Sequence, residues 1–179
     1  MVGAAHAAPA ATASQDRVIV DAREALKKKD KARLAAFKQA AAGHPLAQWV
    51  EYWELSNRLV EAQQGELDAF YARWSGTYVE DRLRNDWLRL LGSRQDWHTF
   101  LAEWPRYRMN DDKQVHCHLL HARLITQGSL TTAEAADAAT TWLAQKEADD
   151  ACASLADRLI ARKALSEQVA WQRARLGAE

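Results

Sequence analysis

Residues 44–59 read HPLAQWVEYWELSNRL. Leu46, Trp49, Val50, Trp53, Leu55 and Leu59 recur at intervals of three and four, the period of an α-helix with one broad apolar face. Pro45 suits the first turn, where its missing N–H would have no intrahelical partner anyway. A face this wide must be covered by neighbouring helices. The flanking sequence supplies them. Upstream, Leu34, Phe37 and Ala41 form a second stripe, with Asp30 as its N-cap and Gly43 at its close. Before that, Val18, Val20, Ala22, Ala25 and Leu26 predict a first helix capped by Ser14, with Lys27–Lys29 at the negative end of its dipole.

Downstream the grain is the same. Gly65 is expected to separate the Trp49 helix from a short one carrying Leu67, Phe70, Tyr71 and Trp74. Tyr78 to Leu91 follows, with a break expected at Gly92-Ser93. Asp96-Trp97 begins a short helix through Phe100, Leu101 and Trp104, stopped by Pro105, and residues 106–113 are polar and loop-like. Val115–Ile125 is helical and ends at Gly128. Thr131-Thr132-Ala133-Glu134 is a capping signal ahead of Ala135–Ala144. Two Ala/Leu-rich segments, Ala151–Ala164 and Glu167–Leu176, complete about ten helices joined by short turns. Such a series predicts an all-α fold, a right-handed α-superhelix or solenoid of short helical hairpins, with a compact bundle as the alternative. Trp74, Trp104 and Trp142 each fall late in a helix, but no sequence self-similarity defines a named repeat.

Composition agrees. The chain has 179 residues, 7 Gly and 3 Pro, and about a fifth of it is Ala, which favours helix over strand. Lys+Arg and Asp+Glu both number 24, so there is no basic excess of the kind that marks nucleic-acid binding. The longest apolar runs fall short of the roughly 20 residues that span a bilayer. Mean hydropathy is −0.46, as for a soluble chain.

Residues 1–14, MVGAAHAAPAATAS, are small and unpatterned. Ala5-His6-Ala7 before Ala8-Pro9 is like the end of a signal peptide, which would place the mature protein in the periplasm; an Ala-rich disordered tail is the other reading. Residues 15–179 form the helical region. Cys117 and Cys152 lie on separate expected helices. They either staple neighbouring helices in an oxidising compartment or pack as two buried free thiols.

Candidate chemistry is sparse. His116, Cys117, His118 and His121 are the only metal-like cluster, yet one helix cannot turn all three histidines to one ion, so no metal site is expected. Glu51 and Glu54 sit among Trp49, Tyr52 and Trp53, which is superficially like a glycosidase cleft, but they fall on the polar side of an amphipathic helix. The eight Trp read mainly as wedges between helices. Glu80-Asp81-Arg82 and Arg82/Asp86/Arg89 read as solvated salt-bridge ladders. No phosphate loop, nucleophile elbow or Cys-x-x-Cys is present. No catalytic residue and no cofactor is expected.

The segment His44–Trp53 resembles a helix of soluble lytic murein transglycosylases that carries a P-L-x-x-Y-x-E-Y pattern. Leu67-Asp68-Ala69-Phe70 resembles that family's next segment, and Leu83–Leu88 with Arg94–Leu101 resembles its L-R-x-x-W-L … R-x-D-W-x-x-F-L signature. The placement of Cys117 and Cys152 also agrees. The resemblance implies a periplasmic enzyme whose long α-superhelix, the U domain, forms a ring bearing a lysozyme-like catalytic domain. That enzyme cleaves peptidoglycan between N-acetylmuramic acid and N-acetylglucosamine, leaving a 1,6-anhydromuramoyl end. Its Glu-Ser-x-x-x-Pro, Gly-Leu-Met-Gln and Ala-Tyr-Asn-Ala-Gly motifs do not occur in these residues. The expectation is therefore a non-catalytic N-terminal part of the U domain, from a fragment, truncated gene or degenerate copy, facing peptidoglycan glycan strands. A free-standing helical-repeat adaptor for a protein or peptide is the alternative. A solenoid cut in mid-stack exposes an apolar end, which predicts self-association.

Overall fold

The structure is a computed structural model that describes residues 10–145 and 150–176, with side chains from residue 16 onward. Ten α-helices and two 3₁₀ turns account for its regular structure, and no strand occurs among the described residues. The helices are α1 (Ala10–Lys27), α2 (Lys31–Ala40), α3 (Ala47–Asn57), α4 (Gln64–Arg73), α5 (Tyr78–Ser93), α6 (Trp97–Glu103), α7 (Lys113–Gln127), α8 (Thr132–Leu143), α9 (Asp150–Ala161) and α10 (Gln168–Leu176). The fold class is all-α. Two compact units divide the chain, one through Leu83 and one from Arg84.

In the first unit α1, α2 and α3 pack against one another. Their shared core is Ile19, Ala22, Ala41 and Val50, with Val18, Phe37 and Trp53 packed around it. Asp30 caps α2, its carboxylate accepting from Arg33 N at 3.0 Å. Small residues at Ala22 and Ala41 let the helix axes approach closely.

The second unit is built on α7, which packs against α6, α8 and α9. Its core joins Cys117, Leu120 and Leu124 of α7 to Ala138 of α8 and to Ala151, Cys152, Leu155 and Leu159 of α9. Cys117 and Cys152 are bonded, 35 residues apart in sequence. Gly128 ends α7 at φ 84°, a left-handed conformation that glycine adopts without steric cost. Thr131 and Glu134 form the capping box of α8.

Four local expectations are corrected. Helix α1 begins at Ala10, so Ser14 lies inside it; alanine is the best helix former and carries the helix back past the serine. The leader-like residues 1–9 lie outside the described residues. Gly65 is in the first turn of α4, not between helices, and the turn is closed by Gln63 N donating to Glu66 Oε2 at 2.9 Å. Helix α5 continues through Gly92 to Ser93, because a helix tolerates glycine where a neighbour needs the space. Glu80 and Asp81 are buried, at 6% and 2% exposure, so they are not part of a solvated ladder. Burial runs around most of α5, and some of its polar residues find partners inside the protein, as with Gly76 N donating to Glu80 Oε2 at 2.8 Å, whereas Trp87 Nε1 is buried with no hydrogen-bond partner among the described residues.

Candidate functional site

Helices α6 and α7 set the most developed site. Asp96 caps α6 by accepting from Thr99 N at 3.2 Å. Asp112 caps α7 by accepting from Gln114 N and Val115 N at 2.8 and 3.2 Å. The caps place Trp97 on the first turn of α6, opposite His118 and His121 one turn apart on α7. The Trp97 ring centroid lies 4.8 Å from that of His121 and 6.2 Å from that of His118. Phe100 meets His118 edge-on at 6.3 Å and stacks on Trp104 at 6.3 Å. Beside these rings runs a groove of about 720 Å³, whose walls include Arg89, Gln114, Asp150 and Ser154.

The two imidazoles are buried, and His118 Nδ1 and His121 Nε2 have no hydrogen-bond partner among the described residues. Burial, reinforced by Arg89, lowers the pKa of His118 to about 4, against a smaller opposing pull from Asp112. Burial, then Arg158, His118 and Arg162, lowers that of His121 to about 4 as well. Both rings are thus neutral near pH 7. Gly92 explains how His118 fits: a Cβ at that position would overlap the ring.

The other members of the histidine-rich segment go elsewhere. His116 Nε2 lies 2.6 Å from Asp137 Oδ2, and Cys117 is bonded to Cys152. The run 115–121 therefore serves three environments. Among the described residues no group of three or more His, Cys, Asp or Glu is placed to hold a metal ion.

The carboxylates near the tryptophans of the first unit are tied down. Glu54 is buried and receives Lys38 Nζ at 3.0 Å and Arg58 Nε at 2.5 Å. Burial pushes its pKa up, but hydrogen bonds and charge from Arg58 and Lys38 outweigh that and hold it below the ordinary value. Arg58 also reaches Glu66 at 2.7 Å. Glu51 is half-buried, accepting from Arg73 at 3.0 Å and from Trp74 Nε1 at 3.1 Å. The expectation that both lie on a solvated face is corrected: α3 is covered on that side by the Arg58, Arg73 and Trp74 side chains. A general acid in glycoside cleavage needs a raised carboxyl pKa. Glu54 has the opposite environment.

Seven of the eight tryptophans are buried or half-buried, and only Trp171 is exposed, at 68%. Trp49 and Trp53 share a face at 6.3 Å, and Trp97 and Trp104 flank Phe100. Trp49 and Trp53 also line an apolar groove of about 570 Å³ with Ile19, Val20 and Leu46. Sequence reasoning missed the pairing of Trp97 with the histidines and the buried ion pair between Arg84 Nη1 and Glu103 Oε2, at 2.8 Å. Gly92 inside an otherwise helical pattern was the available sign of the first. The second left none, since a charged residue does not reveal its burial.

No protein-family model and no curated protein sequence matches the chain. Two solved structures do. The 70-kDa soluble lytic transglycosylase, in complex with bulgecin A, matches at TM-score 0.64 and 19% identity, over 92% of this chain and 26% of that one. An inactive mutant of the lytic transglycosylase Slt from Pseudomonas aeruginosa matches at TM-score 0.64 and 28% identity, over 90% of this chain and 26% of that one. The chain thus spans about a quarter of the length of these transglycosylases. It is similar in fold to a piece of a soluble lytic transglycosylase, and the likeness runs through nearly all of it. No helix among the described residues is long and apolar enough to cross a membrane.

Proposed function

We propose that the chain is a helical scaffold segment of a peptidoglycan lytic transglycosylase, from the N-terminal part of its U domain, and works in the periplasm. The observation that carries this reading is the structural likeness to two soluble lytic transglycosylases over nine-tenths of the chain or more. The parent enzyme would cut the bond between N-acetylmuramic acid and N-acetylglucosamine to give anhydromuropeptides, with its acid–base glutamate on another part of the protein. This segment would contribute shape and a surface for glycan strands.

Two features support the assignment. Glu51 and Glu54, the carboxylates closest to the aromatic cluster of α3, are neutralised by Arg73, Lys38 and Arg58. A bond between Cys117 and Cys152 suits an oxidising compartment. The test is a pull-down of the purified chain on insoluble peptidoglycan, with an assay for released anhydromuropeptides. Binding without release is the expected result. Release would mean that the chain has an active site of its own. Failure of both would overturn the murein-facing reading and favour a helical adaptor for a protein or peptide.

A further inference from the structure

The histidine pair has no part in that proposed role, and its construction is unusual for packing alone. Two adjacent imidazoles are at 9% and 3% exposure, each with an unpartnered ring nitrogen. A leucine or phenylalanine would fill such a space without desolvating polar atoms. The glycine that makes room for His118 would cost less as alanine in a helix interior. Such packing suits two neutral rings.

We propose that the contact between α6 and α7 is an acid-opened latch: protonation of His118 and His121 separates α6 from α7 and widens the groove beside them. An imidazolium must donate from both ring nitrogens. His118 Nδ1 and His121 Nε2 are themselves buried and have no acceptor among the described residues, although the two rings line the groove, and the His118 ring sits where a side chain at Gly92 would be. Hydrating those two nitrogens requires the packing around them to part. The charged groups around the pair oppose protonation on balance. Arg89 of α5 acts on His118, and Arg158 of α9 with Arg162 just beyond it acts on His121. Each imidazolium would repel the other. Asp112, at the start of α7, pulls the other way, and Asp150 of α9 lines the groove. The Trp97 face could hold one cation, which offsets part of the cost for one ring but not for two.

Helix α6 is the shorter side of the contact, anchored by buried Phe100 and by the Arg84–Glu103 ion pair at its end. It has seven residues, whereas α7 is fixed by a disulfide and by packing on both α8 and α9. Short elements open ahead of disulfide-anchored ones in native-state exchange.

The test uses the full chain with its disulfide intact. Histidine ring ¹H–¹³C spectra between pH 7.5 and pH 3.5 follow each imidazole, while amide exchange, corrected for the intrinsic effect of pH, follows each helix. His118 and His121 should titrate well below the ordinary midpoint of about 6.5. Over the same interval α6 amides should lose protection by about tenfold or more while those of α1 to α3 keep theirs. A His118→Gln/His121→Phe variant should keep α6 protected through that range. If the double variant does not fold, His121→Gln alone should move the loss of protection to lower pH. Ordinary titration of both rings, constant α6 protection through the titration, or equal loss in wild type and variant would overturn the proposal.

Discussion

The two units are made of the same material, short helices with apolar stripes, but are closed by different chemistry. In the first, α1, α2 and α3 meet through Ile19, Ala22, Ala41 and Val50, and several of the ion pairs around them, such as Lys27–Glu24 and Lys31–Glu61, are exposed. The second adds a disulfide, an Arg84–Glu103 pair with both side chains at 5% exposure or less, and two neutral buried histidines. Apolar packing works under nearly all conditions. A disulfide, an internal ion pair and a neutral imidazole each hold only within a range of redox state or pH. The first unit shares only the internal ion pair, at Glu54, so with respect to redox state and mild acid the second unit is the conditional half of the chain.

The largest break in that contrast should come from removing the disulfide. A bond closing a loop of 35 residues restricts the unfolded chain by about 4 kcal/mol. In Cys117→Ala/Cys152→Ala, α7, α8 and α9 should lose exchange protection accordingly, and α1 to α3 should not change. Glu103→Gln removes the carboxylate charge that faces the buried Arg84 guanidinium and should cost about 3 kcal/mol in chemical denaturation. Acidification should separate the halves next. His118 and His121, with pKa values lowered to about 4, stabilise the fold fully above the unfolded value of 6.5. That contribution is lost as pH falls from 6.5 towards 4, by about 2 kcal/mol for each ring between pH 7 and pH 5. In the first unit the groups held low are carboxylates, Glu24, Glu54 and Glu66, whose contribution is present above the unfolded value of 4.5 and is lost only below it. Exchange measured at pH 5 should therefore find the second unit loosened and the first intact. Loss of a cap should not discriminate: Asp30→Ala in α2 and Thr131→Ala in α8 should each cost about 1 kcal/mol. Smallest of all, Lys31→Ala, which removes an exposed ion pair with Glu61, should change stability by about 0.5 kcal/mol or less. A larger loss there would show that surface charge does more in the first unit than its exposure suggests.

Much of this architecture was legible because helix signals are local. Asp30, Asp96 and Thr131 cap the helices they precede, and Gly128 ends α7, since each acts on backbone groups within a turn of itself. Failures arose where a distant residue decides the outcome. Gly92 breaks a helix by propensity, yet α5 passes through it because the His118 ring occupies the missing side chain's place. Glu54, Glu80, Asp81 and Glu103 carry charges that usually mark a solvated face, yet all four are buried, and Lys38 and Arg84, distant in sequence, pair with Glu54 and Glu103 there. At the candidate site the i, i+3 relation of His118 and His121 could be read directly. Their pairing with Trp97 could not, because it depends on how α6 lies against α7.

The disulfide has a consequence in time. It joins α7 to α9 and encloses α8, so a growing chain that has made all of α7 still carries Cys117 as a thiol until Cys152 has been synthesised. No residue of the first unit waits in this way. A molecule retained where thiols stay reduced would hold a finished first half and a slack second one, with Cys117 open to capture by a foreign thiol. On the proposed periplasmic reading, the second unit is complete only after the chain has reached the compartment that oxidises it.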